Sequence, residues 1–134
     1  MSQTLQAIVE GYSDAWNRHD LDAILALHTD DAVFENHTSG GLAVGKAEIR
    51  DLIAGVFATL PDLHFATRRA YFREDVAVVE WTATATHTLP IRRGEQIYAP
   101  SGKTLSWKGM DVLPMRDGLV ARKDVYADSL SFLR

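Results

Sequence analysis

The segment from Leu105 to Asp128, LSWKGMDVLPMRDGLVARKDVYAD, reads as two strands joined at Asp117-Gly118, a dipeptide that supplies the positive φ a tight hairpin needs. Side chains alternate across a strand, so Leu105, Trp107, Gly109, Asp111, Leu113 and Met115 share one face. That face is apolar except at Asp111. A carboxylate among large apolar residues is costly to desolvate, so it is hydrogen-bonded, shifted in pKa or kept for chemistry.

The remainder of the chain must cover this hairpin. Leu5, Ile8, Val9, Tyr12, Ala15 and Trp16 follow helical spacing. Asp20 then caps a shorter helix carrying Leu21, Ile24, Leu25 and Leu27, ending at Thr29-Asp30-Asp31. Ala32 to Asn36 is a short strand leading into a glycine-rich loop over residues 37–45, which lacks phosphate-cradle spacing. A third helix runs from Lys46 to Leu60 and stops at Pro61-Asp62. From Leu63 the texture is β, with strands over 63–73 and 76–88 around Glu74-Asp75. In the second of these, Val79, Trp81, Ala83, Ala85 and His87 face one way, and Glu80, Thr82, Thr84 and Thr86 the other. Residues 89–102 read as a long loop at the sheet rim, able to act as a lid. Residues 129–134 form a tail with room for a helical turn.

Helices first and sheet afterwards imply an α+β layer, with three helices packed on a curved, mostly antiparallel sheet. The 134 residues fit one domain, 1–134. No apolar run approaches a membrane span, and the start lacks a secretory pattern, so the expectation is a cytoplasmic protein without membrane contact. Net charge is -4 and no basic run is longer than a doublet, which disfavours nucleic acid. There is no cysteine, no His-x-His pair and no His-Glu-x-x-His motif, so neither a metal nor a cofactor is expected.

Four segments carry a family resemblance: GYSDAWNRHDLDAILALHTDDAVFEN, GKAEIRDLIAGVF, LPDLHF and the 107–128 hairpin. Together they resemble the NTF2-like superfamily, and within it SnoaL-like polyketide cyclases and ketosteroid isomerases. The resemblance implies a hollow cone and a small-molecule pocket. It places Tyr12 at the isomerases' oxyanion-hole tyrosine. Asp111 falls at their second oxyanion-hole residue and at the cyclases' acid/base aspartate, a precedent of a neutral buried acid already worked out for that isomerase. The isomerase base position holds Asn36, an amide that cannot abstract a proton. The limonene-epoxide-hydrolase branch departs further, with Trp81, Ala83 and Val125 where its charged triad would stand.

The candidate catalytic set is therefore Asp111 with Tyr12, Asn36 and His87, and the candidate ligand walls are Trp16, Phe34, Phe57, Trp81 and Trp107. Each has a structural alternative: Asp111 as a buried hydrogen-bonded carboxyl, Tyr12 and the other aromatics as core, Asn36 as a turn former, His87 as a half-exposed filler. His28 and His37 stand on the same footing as His87, whereas His19 and His64 read as surface or turn residues. The resulting expectation is cofactor-free proton transfer on an apolar, carbonyl-bearing small molecule. The alternative is a non-catalytic ligand-binding protein. Met110 and Val112, beside Thr82 and Thr84 on the opposite face, suit a homodimer interface.

Overall fold

A computed structural model describes residues 4–128. Helix α1 spans Leu5–Asn17, where the Thr4 hydroxyl accepts from the Ala7 N–H at 3.1 Å, and buries Val9, Tyr12, Ala15 and Trp16. Helix α2, Leu21–Ala26, is capped by Asp20, which accepts from Ala23 N–H at 3.1 Å. Asn17 stitches the end of α1 to the sheet. Its amide donates to the Phe65 carbonyl at 2.9 Å and its oxygen accepts from the Phe65 N–H at 2.8 Å. That clamp fixes how far the Tyr12 and Trp16 rings reach over the sheet.

Eight strands follow among the described residues: β1 His28–Asn36, β2 Gly41–Val44, β3 His64–Arg73, β4 Val76–Thr86, β5 Ile91–Arg93, β6 Gln96–Tyr98, β7 Thr104–Arg116 and β8 Leu119–Ala127. Helix α3, Lys46–Thr59, lies between β2 and β3. The large sheet has the order β2-β1-β8-β7-β4-β3. Every pairing in it is antiparallel except β1 with β8. Three helices on a curved, mostly antiparallel sheet are what the sequence predicts, and the inward parity of β4 and β7 holds from Ala77 to Ala85 and from Trp107 to Met115.

Three segments differ from the sequence reading. Strand β1 begins at His28 rather than Ala32, because Leu27 O accepts from Val120 N and draws the Thr29-Asp30-Asp31 stretch into the sheet beside β8. The glycine-rich stretch is a turn followed by β2, whose Leu42 pairs with Glu35 and Val44 with Val33. Residues 89–102 hold the β5–β6 hairpin, which turns at Gly94 with φ 62°, and Ile91 anchors it in the core at 3% exposure. The expected terminal turn at 129–134 lies outside the described residues. No helix among the described residues is long and apolar enough to cross a membrane.

The β7–β8 hairpin contains the decisive irregularity. Its turn has positive φ at both Asp117 and Gly118, 55° and 77°, and pairs Arg116 with Leu119 and Met115 with Val120. Carried on without interruption, that register would set Asp111 opposite Asp124. Instead a bulge between Val112 and Met115 places Asp111 opposite Val125. One extra residue in β8 inverts the facing of everything beyond it. Lys123 and Val125 therefore point inward, while Arg122 and Asp124 point out.

Candidate active site

Asp111 sits between Val125 on β8 and Val79 on β4 and is 8% exposed. The β8 bulge brings Lys123 to it: Nζ lies 3.3 Å from Asp111 Oδ2, and Lys123 is 5% exposed. Burying an ion pair is costly unless both charges find further partners. Lys123 has them, since its ammonium lies 4.1 Å from the Trp16 ring centroid, 5.0 Å from Tyr12 and 5.5 Å from Phe34. Burial pulls the Lys123 pKa down, Asp111 and then Tyr12 push it up, and the balance stands above the ordinary lysine value. The group is an ammonium. Asp111 Oδ1, by contrast, is buried without a hydrogen-bond partner.

Tyr12 is positioned by α1 above this pair, and its hydroxyl shares a 2.8 Å hydrogen bond with His28 Nε2. Burial raises the Tyr12 pKa, against the opposing pull of Lys123. His28 is driven down to about 3 by burial and by the Lys123 and Lys46 charges, so it is neutral at ordinary pH. A neutral imidazole holding a neutral phenol leaves Lys123 and Asp111 as the charged groups of the floor.

A cavity of about 440 Å³ opens over the pair, within the range of small-molecule sites. Trp16, Phe34, Trp81, Trp107 and Val125 form its apolar lining around Asp111 and Lys123. A second recess of about 20 Å³ lies between Tyr12, Val79 and Asp111. Trp81 reaches the floor because Gly109 faces it: a Cβ there would come closer than 3.0 Å to three atoms of the indole. Trp16 is braced edge-on by Phe57 and Phe65, at 5.4 and 5.9 Å between centroids.

The sequence candidates are thus divided. Asp111, Asn36, Trp16, Phe34, Trp81 and Trp107 line the main cavity, and Tyr12 joins Asp111 at the small recess. Asn36 lies at the rim, where its Oδ1 accepts from the Thr38 and Ser39 N–H groups at 3.0 Å each, so only its NH₂ group remains to meet a ligand. Phe57 stacks on His19 at 4.1 Å behind Trp16 and does not line the cavity. His87 is 6% exposed and bonded through Nδ1 to Ser101 Oγ at 3.1 Å, outside either lining. It lies eight positions along the chain from Val79, the residue opposite Asp111, on the order of 25 Å in an extended strand.

Lys123 went unrecognised in the sequence. Within Arg122-Lys123-Asp124 it reads as one charge of a solvated strand, and only the alternation Lys123, Val125, Ala127 counted back from the apolar end marks it as inward. The outward partners form their own cluster. Glu35, His37 and Asp124 bring ligand-type atoms within 4.8 Å of one another. The Arg122 guanidinium already lies there, 2.6 Å from Glu35 and 2.8 Å from Asp124, supplying the cation.

A model of the SnoaL-like domain matches residues 9–123. Among solved structures the chain is similar to AclR of Streptomyces galilaeus, provisionally assigned as a hydroxylase, at 26% identity and a TM-score of 0.80, over 96% of this chain and 81% of that one. IdmH of Streptomyces antibioticus, provisionally assigned as a polyketide cyclase, is 17% identical with a TM-score of 0.82, over 98% of this chain and 96% of that one. TerC, crystallised with polyporic acid, is 20% identical with a TM-score of 0.77, over 96% and 95% respectively. Likenesses at this level of identity establish the NTF2-like fold, and fold alone does not fix a reaction. No curated protein matches the sequence.

Proposed function

Because the chain belongs to the SnoaL-like domain family, we propose that its cavity binds an apolar, carbonyl-bearing small molecule and that Asp111 transfers a proton on it without a cofactor. The observation that carries this reading is that Asp111 lines the cavity with Oδ2 held by Lys123 and with Oδ1 buried and without a hydrogen-bond partner. A carboxylate fixed by one oxygen and free of hydrogen bonds at the other is arranged to accept a proton. In the proposed step Oδ1 removes a proton from carbon next to the substrate carbonyl, and the electron pair moves to the carbonyl oxygen. Asp111 becomes neutral as the enolate becomes negative, so the Lys123 ammonium exchanges one anionic partner for another. Charge develops beside a preorganised cation, where electrostatic stabilisation is largest. Return of the proton to a different carbon completes an isomerisation; where the enolate carbon instead attacks a second carbonyl of the same molecule, a C–C bond forms as that C=O becomes an alkoxide, and return of the proton to this oxygen completes a cyclisation. This differs from the neutral-acid role that the resemblance suggests for Asp111, since a carboxyl 3.3 Å from an ammonium has the geometry of an acceptor.

Deuterium exchange at the α-carbon of polycyclic ketones, followed by proton NMR, tests the proposal. Asp111→Asn is expected to slow exchange by about a hundredfold or more. Exchange that is unchanged in this variant removes the proton-transfer reading. A second reading, a non-catalytic binding protein, is favoured by the mutual pairing of the buried polar residues, Lys123 with Asp111 and Tyr12 with His28. It predicts ketone binding with no exchange above the buffer rate.

We also propose a homodimer through the outer sheet face. Tyr71, Val78, Met110, Val112 and Tyr126 share that face by register, and Tyr71 and Tyr126 are 54% and 46% exposed. Glu80, at the rim of that face, is held within the chain by Arg69 at 2.9 Å.

A further inference from the structure

The charged lining of the main cavity is asymmetric. Its floor holds Asp111 and Lys123, which offset one another, and its other charged residues are Arg92 and Arg93 of β5. They are brought there by the hairpin: Ile91 is buried in the core, and the chain runs directly from it into the two arginines before turning at Gly94. Arg92 is exposed and Arg93 half-buried. Thr38 and Ser39, both exposed, and Asn36 add uncharged polar groups to the same lining. Between rim and floor the lining is apolar, from Leu52, Val56 and Leu60 to Phe34 and Trp107.

We propose that the ligand is an amphipathic anion: an apolar, ring-bearing body whose anionic oxygen group is read at the rim by Arg92, with the opposite end at Asp111 and Lys123. The inference rests on reading this cavity as the ligand site, and it names the substrate class. A guanidinium presents paired N–H donors that match the oxygens of a carboxylate, sulfonate or phenolate. Placed at the rim, it keeps its own hydration until the ligand arrives and meets the one part of such a molecule that would resist burial. The apolar body contributes affinity through its buried area, and the rim contact sets which end enters first. Entry in the reverse sense would bring the anion to a floor whose two charges offset one another and leave Arg92 without its ligand contact, so the rim guanidinium selects orientation as well as identity.

Two fluorescent probes that differ only by the anion test this: 8-anilinonaphthalene-1-sulfonate and its neutral parent N-phenyl-1-naphthylamine. The sulfonate is expected to bind the wild type roughly three- to tenfold more tightly, an advantage the size of one partly exposed ion pair. Arg92→Gln should abolish that advantage, and raised salt should weaken the sulfonate alone. Gly55→Trp controls for probe bound elsewhere: Gly55 lines the cavity and a Cβ there meets nothing within 4 Å, so the indole can occupy the opening, and both probes should be lost. The proposal is overturned if Arg92→Gln leaves the ratio unchanged, if it weakens both probes equally, or if Gly55→Trp leaves both bound. These outcomes are separable from failure of the proton-transfer reading, since charge-selective binding without ketone exchange removes the chemistry and keeps the anion site.

Discussion

Lys123→Met tests the ion pair at the centre of the site. The substitution keeps an unbranched side chain in the space between the Trp16, Tyr12 and Phe34 rings and removes the charge. It leaves Asp111, flanked by Val79 and Val125, without its only charged partner within salt-bridge distance among the described residues. Removing one member of a buried pair costs about 3–5 kcal/mol, a large part of the 5–15 kcal/mol typical of a whole domain. Asp111→Asn should cost less, about 1–3 kcal/mol, because the ammonium keeps three aromatic faces while the stranded carboxylate keeps none. The double variant should be more stable than the sum of the single effects predicts, by at least about 1 kcal/mol. Urea unfolding of all four proteins reads these quantities, with roughly 2 M separating the Lys123→Met midpoint from wild type at an ordinary m-value. The pH dependence supplies an independent sign. In the wild type Lys123 is raised above 10.5, so the pair's contribution is complete below that pH and is lost as pH rises through the folded value. In Asp111→Asn burial acts without its main opponent, the folded lysine binds fewer protons than the unfolded one, and stability should climb as pH approaches 10.5. Additive single effects, to within about 0.5 kcal/mol, together with parallel alkaline slopes, would falsify the account of a coupled pair.

Three further outcomes follow from the geometry. His28, lowered to about 3 from 6.5, must gain a proton on unfolding in acid; its contribution is full above 6.5 and is lost at up to about 1.4 kcal/mol per pH unit as pH falls toward 3. His28→Gln should flatten that slope in acid-unfolding curves, and an unchanged slope contradicts the neutral imidazole. Gly109→Ala forces the Trp81 ring off the floor, with a cost of about 1–3 kcal/mol and a changed near-ultraviolet circular dichroism band; a silent substitution would mean that the indole does not lie on the glycine. Met110→Glu should convert a dimer to monomer in sedimentation with the cavity intact, whereas a 14.9 kDa wild-type species at micromolar concentration removes the dimer.

The fold was legible because its signals are periodic. Helical spacing from Leu5 to Trp16 and strand alternation from Ala77 to Ala85 each repeat often enough to settle an element, and Asp111 stands out as the one break in its face. The site was only partly legible because it depends on a count that local pattern does not hold. The turn at Asp117-Gly118 sets one register, and the bulge beyond Met115 replaces it. A reader of the sequence has no local reason to place Lys123 inside. His87 misled for the opposite reason: parity gives the correct face of β4 yet no position along it, and His87 lies far from the row that contains Asp111. Strand β2 and the β5–β6 hairpin were hidden by glycines, which mark turns clearly and the short strands between them poorly. The Arg92-Arg93 doublet weighed against nucleic acid by its brevity, whereas its place at the cavity rim depends on Ile91 reaching the core.

The one-residue bulge in β8 also divides the strand into two independently adjustable parts. Residues before it keep time with the tight turn, and residues after it keep time with the cavity. A substitution that alters the turn end therefore need not disturb the facing of Lys123. Deleting a single residue between Val120 and Lys123 would remove the bulge and restore a regular ladder, with Val125 still opposite Asp111 and Lys123 still facing inward. The bulge is thus slack that β8 can lose without touching the floor, whereas straightening it with every residue kept would set Asp124 opposite Asp111 and turn Lys123 outward.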